Sequence, residues 1–145
     1  MPTNNVYRLL PFQIPKFWEV IKQATVDETD SKRPQIYWNK LLHSLLSDTS
    51  QCFIELDSER ILRRLLITKI EIDKDSEEKR LFMRSYYPAE SVDASTWARG
   101  IDILKQLARS EGCSSIAFVS SDKGMYELST STGFKENGIN LLLEL

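Results

Sequence analysis

Apolar and polar positions along this chain switch between two periods, and each switch marks an element. Residues 6–10 are a short apolar run closed by Pro11 and read as a first strand. Pro15 opens a helical pattern in which Phe17, Trp18, Val20, Ile21 and Ala24 make one stripe. The polar residues 27–33 read as a loop. Pro34 starts a second helix, with Tyr37, Trp38, Leu41, Leu42, Leu45 and Leu46 at helical spacing, and the Ser47-Asp48-Thr49-Ser50-Gln51 cluster ends it. Three strands follow, at 52–56, 61–72 and 80–87. The middle one alternates cleanly only in its later half, with Thr68, Ile70 and Ile72 on one face and Ile67, Lys69 and Glu71 on the other. Its first half, 61–66, breaks phase, which predicts a bulge near its start. The charged stretch 73–79 reads as a solvated hairpin tip, and Pro88 stops the third strand.

The strongest helical stripe comes next: Trp97, Ile101, Leu104, Leu107 and Ala108, with Asp93 or Ser95 as N-cap and Gly112 as C-terminal cap. Residues 115–119 form a continuous apolar run, the pattern of a central strand covered on both faces. A last helix spans roughly 122–132 and stops at Gly133. In the tail, Asn137-Gly138 signals a tight turn and 139–145 a final strand. The order β-α-α-β-β-β-α-β-α-β(β) predicts an α+β, three-layer chain: a mixed, mostly antiparallel sheet with helices on both faces. The strand–helix–strand unit spanning 80–119 makes its two strands parallel.

Composition narrows the chemistry. The 145 residues fit one domain, 1–145, which buries enough surface to fold without a disulfide or metal. Nineteen basic against 21 acidic residues give a net charge of −2, which argues against nucleic-acid binding through bulk charge. Arg60, Arg63 and Arg64 make one small basic patch with no aromatic interleaved. No apolar run approaches about 18 residues, so no membrane span is expected. The first residues lack a charged start followed by an apolar stretch, so no signal peptide is expected either. Cys52 and Cys113 each adjoin an apolar run and read as free thiols of a cytoplasmic or other reducing intracellular compartment. With His43 as the single histidine, zinc sites needing two imidazoles are excluded, no metal site is expected, and no nucleophile motif surrounds His43 for a triad.

Two stretches carry a family likeness. One is Leu107-Ala108-Arg109-Ser110-Glu111-Gly112-Cys113-Ser114-Ser115-Ile116; the other is Gly124-Met125-Tyr126-Glu127-Leu128-Ser129-Thr130-Ser131-Thr132-Gly133-Phe134-Lys135. With the element order, they resemble the GNAT superfamily of N-acetyltransferases over nearly the whole chain. The first is similar to the end of that family's central helix, the second to its late helix closing on a Gly-Phe pair. The resemblance implies the GNAT fold and a place for acetyl-CoA. In the family, an Arg/Gln-x-x-Gly-x-Gly/Ala loop after the fourth strand cradles the pyrophosphate with backbone N–H groups and a helix N-terminus. Here that stretch runs from Tyr87 to Trp97 without a glycine or a basic residue. Val92, Asp93, Ala94, Ser95 and Thr96 are the backbone positions that would meet the diphosphate. Glu90 and Asp93 put like charge beside it, and the nearest cations, Arg84 and Arg99, lie outside. The family's general acid, a tyrosine four residues before the Gly-Phe glycine, is replaced by Ser129; Tyr126 is three residues earlier. Glu55 and Glu71 are the candidate bases on the central strands.

These departures point to a non-catalytic module of this fold with no cofactor. It would work through contacts with a protein partner or a second copy, in a virus-encoded, virion-associated or other assembly setting. The alternative is an acyl-CoA-dependent N-acetyltransferase with an atypical pyrophosphate loop, using acetyl-CoA. Trp18, Tyr37, Trp38, Tyr86 and Tyr87 would serve a core or an interface. The discriminating geometry is the gap between the parallel strands. If they splay beside free amides at 92–96 the cofactor has a place; if Trp97 or Tyr87 fills the gap it has none.

Overall fold

The computed structural model describes residues 5–29, 33–88, 92–119, 123–138 and 141–145, with the backbone alone at 26–29 and 88. Strand β1 (Asn5–Leu9) enters a single 3-10 turn, Pro11–Gln13, and then α1 (Ile14–Thr29). The turn is fixed locally: the Gln13 amide donates to the Leu10 carbonyl, and the Leu10 amide donates to the Gln13 side chain, both at 2.8 Å. After α2 (Gln35–Leu46) come β2 (Ser50–Leu56), β3 (Leu62–Ile72), β4 (Lys79–Pro88), α3 (Ala94–Ser110), β5 (Ser115–Ala117) and α4 (Lys123–Ser131). The sheet runs β1-β2-β3-β4-β5; its first three pairs are antiparallel and β4–β5 is parallel.

Period-two alternation divides the strands between two cores. Cys52, Ile54, Leu65 and Ile67 face α1 and α2, where Ile21, Leu41 and Leu45 complete the first core. Phe53, Leu81 and Met83 face Trp97, Ile101, Leu104 and Ala108 of α3, with Met125 and Leu128 of α4 packed alongside. The helices therefore cover both faces, as the pattern predicts. Trp18, Tyr37, Trp38 and Tyr87 belong to the first core and Tyr86 to the second. Two buried polar side chains satisfy each other inside the sheet: the Thr68 hydroxyl donates to Gln51 Oε1 at 3.0 Å.

Two bulges interrupt the register. Glu55 opposes Arg64 but Leu56 opposes Leu62, so Arg63 is the extra residue of β3. This is the break that the lost alternation in 61–66 predicts. Ile67 opposes Ser85 but Thr68 opposes Met83, so Arg84 is the extra residue of β4, and nothing in the pattern marks it.

Two expectations need correction. The run 115–119 is not a doubly covered central strand. Only Ser115–Ala117 pair, at the edge of the described sheet; Ser115 is exposed, Ile116 and Phe118 pack on the α3 core, and Val119 faces solvent. The final strand fails over its described part: 141–145 form no strand, and Leu141, Leu142, Leu143 and Leu145 are exposed. Residues 139–140 lie outside the described residues. Adjacent leucines carry no period, so an apolar run alone does not separate a strand from a tail. Gly138 takes a φ of 88°, but no turn is formed over the described residues 134–138.

Candidate functional site

The site is built around a fork in the sheet. β4 and β5 pair only where Arg80, Leu81 and Phe82 oppose Ser115, Ile116 and Ala117, although β4 continues to Pro88. The bulge at Arg84 comes just after the last of these pairs. A bulge bends its strand and adds twist, and this one falls where the β4–β5 pairing ends. At the start of α3 Asp93 is the N-cap: its carboxylate accepts from the Thr96 amide at 2.7 Å and from the Ser95 hydroxyl at 2.9 Å. The Thr96 N–H is the larger cause, and with Ser95 it holds the Asp93 carboxyl below its ordinary range. The Trp97 amide closes the first turn on the Asp93 carbonyl at 3.0 Å. Among the described residues the Ala94 and Ser95 amides have no acceptor, as the first amides of a helix have none within it. Val92 is half-buried against the α3 core.

An aromatic column stands on the α3 side of the fork. Trp97, 4% exposed, meets Tyr86 and Phe118 edge-on at centroid distances of 5.8 and 6.3 Å, and Phe118 meets Phe134 at 5.3 Å. The Trp97 indole donates to Thr132 Oγ1 at 3.2 Å. The first turn of α3 is thereby tied to β4, to the segment after β5 and to the end of α4. The discriminating geometry is answered both ways: the β4–β5 pairing ends beside two amides, but Trp97 stands between Tyr86 of β4 and Phe118 after β5, against a cofactor. Tyr87 packs on the opposite core.

The hydroxyl and carboxylate candidates are placed unequally. Ser129 is buried, and its hydroxyl donates to the Met125 carbonyl at 2.6 Å. Tyr126 is half-exposed on the preceding turn. The Trp97–Thr132 bond brings this end of α4 to the start of α3. Glu71 lies elsewhere. It opposes Arg80 at the beginning of β4, roughly 25 Å of strand from Pro88, where α3 approaches. Arg80 (2.8 Å) and Lys69 (3.3 Å) pair with it. Burial works to raise the Glu71 carboxyl, but those two hydrogen-bonded cations outweigh it and hold the group below its ordinary value. Glu55 is at the other end, in the row Glu55–Arg64–Pro88, ion-paired with Arg64. Tyr86 hydrogen-bonds the same arginine; burial raises its phenol against the pull of that charge. Sequence reading named Glu55 as a base but took Arg64 as part of a basic patch, and missed that strand pairing joins them.

The cations outside the loop do not reach into it in one way. Arg84 lies over the Tyr37 ring at 5.7 Å, on the α2 side. Arg99 hydrogen-bonds the Thr96 hydroxyl at 3.4 Å and helps to lower Asp93. Arg63 pairs with Asp57 and Arg64 with Glu55, so two of the three arginines of 60–64 are matched by carboxylates. Glu90 lies outside the described residues. Among the described residues no group of three His, Cys, Asp or Glu side chains is placed to hold a metal ion, and no helix is long and apolar enough to cross a membrane.

No protein-family model matches the sequence, and no curated protein is similar to it. Solved structures are similar in fold across the full length. An aminoglycoside acetyltransferase from an uncultured soil metagenomic sample, in complex with sisomicin, superposes with a TM-score of 0.74 at 15% identity, over 98% of this chain and 96% of its own. A "predicted acetyltransferase" of Clostridium acetobutylicum with acetyl-CoA gives 0.74 at 13% identity, over 98% and 96%. A ribosomal-protein-alanine N-acetyltransferase of Brucella melitensis biovar Abortus 2308 gives 0.69 at 12% identity, over 99% of each chain. With its sheet order, its parallel β4–β5 pair and its helices on both faces, this chain has the GNAT N-acetyltransferase fold.

Proposed function

We propose that the chain binds an acyl-CoA at the β4–β5 fork and acts as an N-acetyltransferase toward an amine. The observation that carries this reading is that the β4–β5 pairing ends at the Arg84 bulge, next to the strand residue Tyr86 that packs on Trp97 in the first turn of α3. The structures it resembles include one solved with acetyl-CoA and one with the amine-bearing ligand sisomicin. A glycine-free loop is compatible with a diphosphate because the backbone supplies the donors: the Ala94 and Ser95 amides, and the helix dipole behind them. Asp93 opposes a diphosphate by like charge but does not block it. Its carboxylate already occupies the Thr96 amide as an anion would, and its exposed side chain can be displaced by a stronger one. Acetyl-CoA would supply the thioester. Of the two α4 candidates, Tyr126 presents its ring to solvent, whereas the Ser129 hydroxyl is committed to the helix backbone.

Calorimetry with CoA and acetyl-CoA tests this. The expected result is 1:1 binding with a Kd of roughly 100 µM or below, tightened about threefold in Asp93→Asn, which keeps a capping oxygen but removes the like charge. A second reading, a module that assembles with other proteins, is favoured by Trp97 on the α3 side of the fork and by the Asp93 carboxylate at the helix start. Absence of binding to wild type and Asp93→Asn at about 1 mM CoA would reject the transferase and leave that reading.

A further inference from the structure

We propose a second ligand site beside the fork, bordering it through Tyr86, Val92, Thr96 and Trp97: the groove between α3 and the sheet face of β1–β4 takes a small amphipathic anion, an apolar body with a carboxylate head. The cavity measures about 260 Å³ and is walled mainly by apolar side chains, among them Phe53 and Met83. An apolar cavity of about 150 Å³ holds benzene, so this one accommodates a ring with a short chain. Trp97 lines it and also meets Phe118.

Gly100 is the first reason to read the cavity as a site. It stands in the interior of α3, where glycine costs about 1 kcal/mol relative to alanine. Neither packing nor backbone accounts for it: a Cβ there would meet nothing within 4 Å, and its φ is not among the positive ones. Gly100 is an exposed part of the groove's wall, so a bulky side chain there has open space at the groove. Charge is the second reason. Arg64, Arg99 and Glu55 are the charged residues of the wall, an excess of one positive charge. Glu55 is spent on Arg64, whose buried Nε still has no hydrogen-bond partner among the described residues. A buried donor without an acceptor is unfavourable, and a carboxylate entering beside it meets Arg64 within and Arg99 at the rim.

The test uses the full chain and 3-phenylpropanoate as probe, followed by ¹H–¹⁵N NMR without CoA, so the outcome is independent of acyl-CoA binding. Saturable shifts are expected at the Gly100 amide and the Trp97 indole, with 3-phenylpropanamide binding about fivefold more weakly. Arg99→Gln should weaken the carboxylate about fivefold and erase its advantage over the amide. Gly100→Phe, which places a ring on the exposed wall of the groove, should abolish binding while unfolding at no lower urea concentration. No saturable shift at about 10 mM probe, equal binding of acid and amide, or unchanged binding by folded Gly100→Phe overturns the proposal. So does a sedimentation dimer that Gly100→Phe disperses, since the cavity would then belong to a second copy.

Discussion

Trp97 combines two contacts that no smaller residue can make together. Its ring fills the space between Tyr86 and Phe118, and its indole N–H reaches Thr132 across from α3 to α4. Trp97→Phe keeps most of the ring packing and loses the hydrogen bond, so it should cost about 1 kcal/mol in urea unfolding. Trp97→Ala empties the column and should cost about 3–5 kcal/mol. If the two variants unfolded alike, the column would not be what holds α3 at the fork. Much of this residue's neighbourhood was legible in the chain: its place in the apolar stripe, and Asp93 before it as a cap. Its partners were not. Phe118 and Phe134 sit in short segments without periodicity, and only the crossover through α3 and α4 brings them to the indole.

At the scale of elements, the helix ends were readable where glycine writes them. After α3, the Gly112 amide donates to the Arg109 carbonyl and Cys113 to Ala108, the paired bonds of a Schellman ending, with Gly112 at φ 76°. Gly133 and Phe134 repeat this after α4, on Thr130 and Ser129, with Gly133 at φ 101°. Gly112→Ala has open space for its Cβ but must hold a left-handed backbone, so it should lose about 1–2 kcal/mol in thermal or urea unfolding. α2 ends the same way, yet through Asp48 at φ 62°, which no glycine announces. Glu71 illustrates a signal present but unused. It directly precedes the 73–79 hairpin, and α3 follows the other end of β4, so the chain order alone sets Glu71 far from the helix start. Glu71→Gln should therefore leave acetyl transfer unchanged and shift stability by less than about 1 kcal/mol, as for an exposed ion pair. A loss of transfer on this substitution would mean that the acceptor lies at the hairpin end, away from the fork.

The described residues form one sheet with a core on each face, and Cys52 reports on its cooperative opening. It is fully buried in the β2 row of the first core, where burial pushes the thiol up to about 12. In the unfolded chain the same thiol loses its proton near about 8.5. Between these values the folded state keeps a proton that the unfolded state releases. Stability from this group is complete below about pH 8.5 and falls as pH rises toward 12, by about 1.4 kcal/mol per pH unit. Cys52→Ala pays once for a lost side chain but should show a shallower decline between about pH 9 and 11, by up to that slope, in urea unfolding series. Cys113 provides the internal control. Half-buried in the turn between α3 and β5, it should react with iodoacetamide in the native state, whereas Cys52 should react only as fast as the sheet opens. Native-state labelling of Cys52 at the rate of Cys113 would mean that the α1–α2 layer lifts from β2 on its own, and that the two faces of the sheet are separate cooperative units.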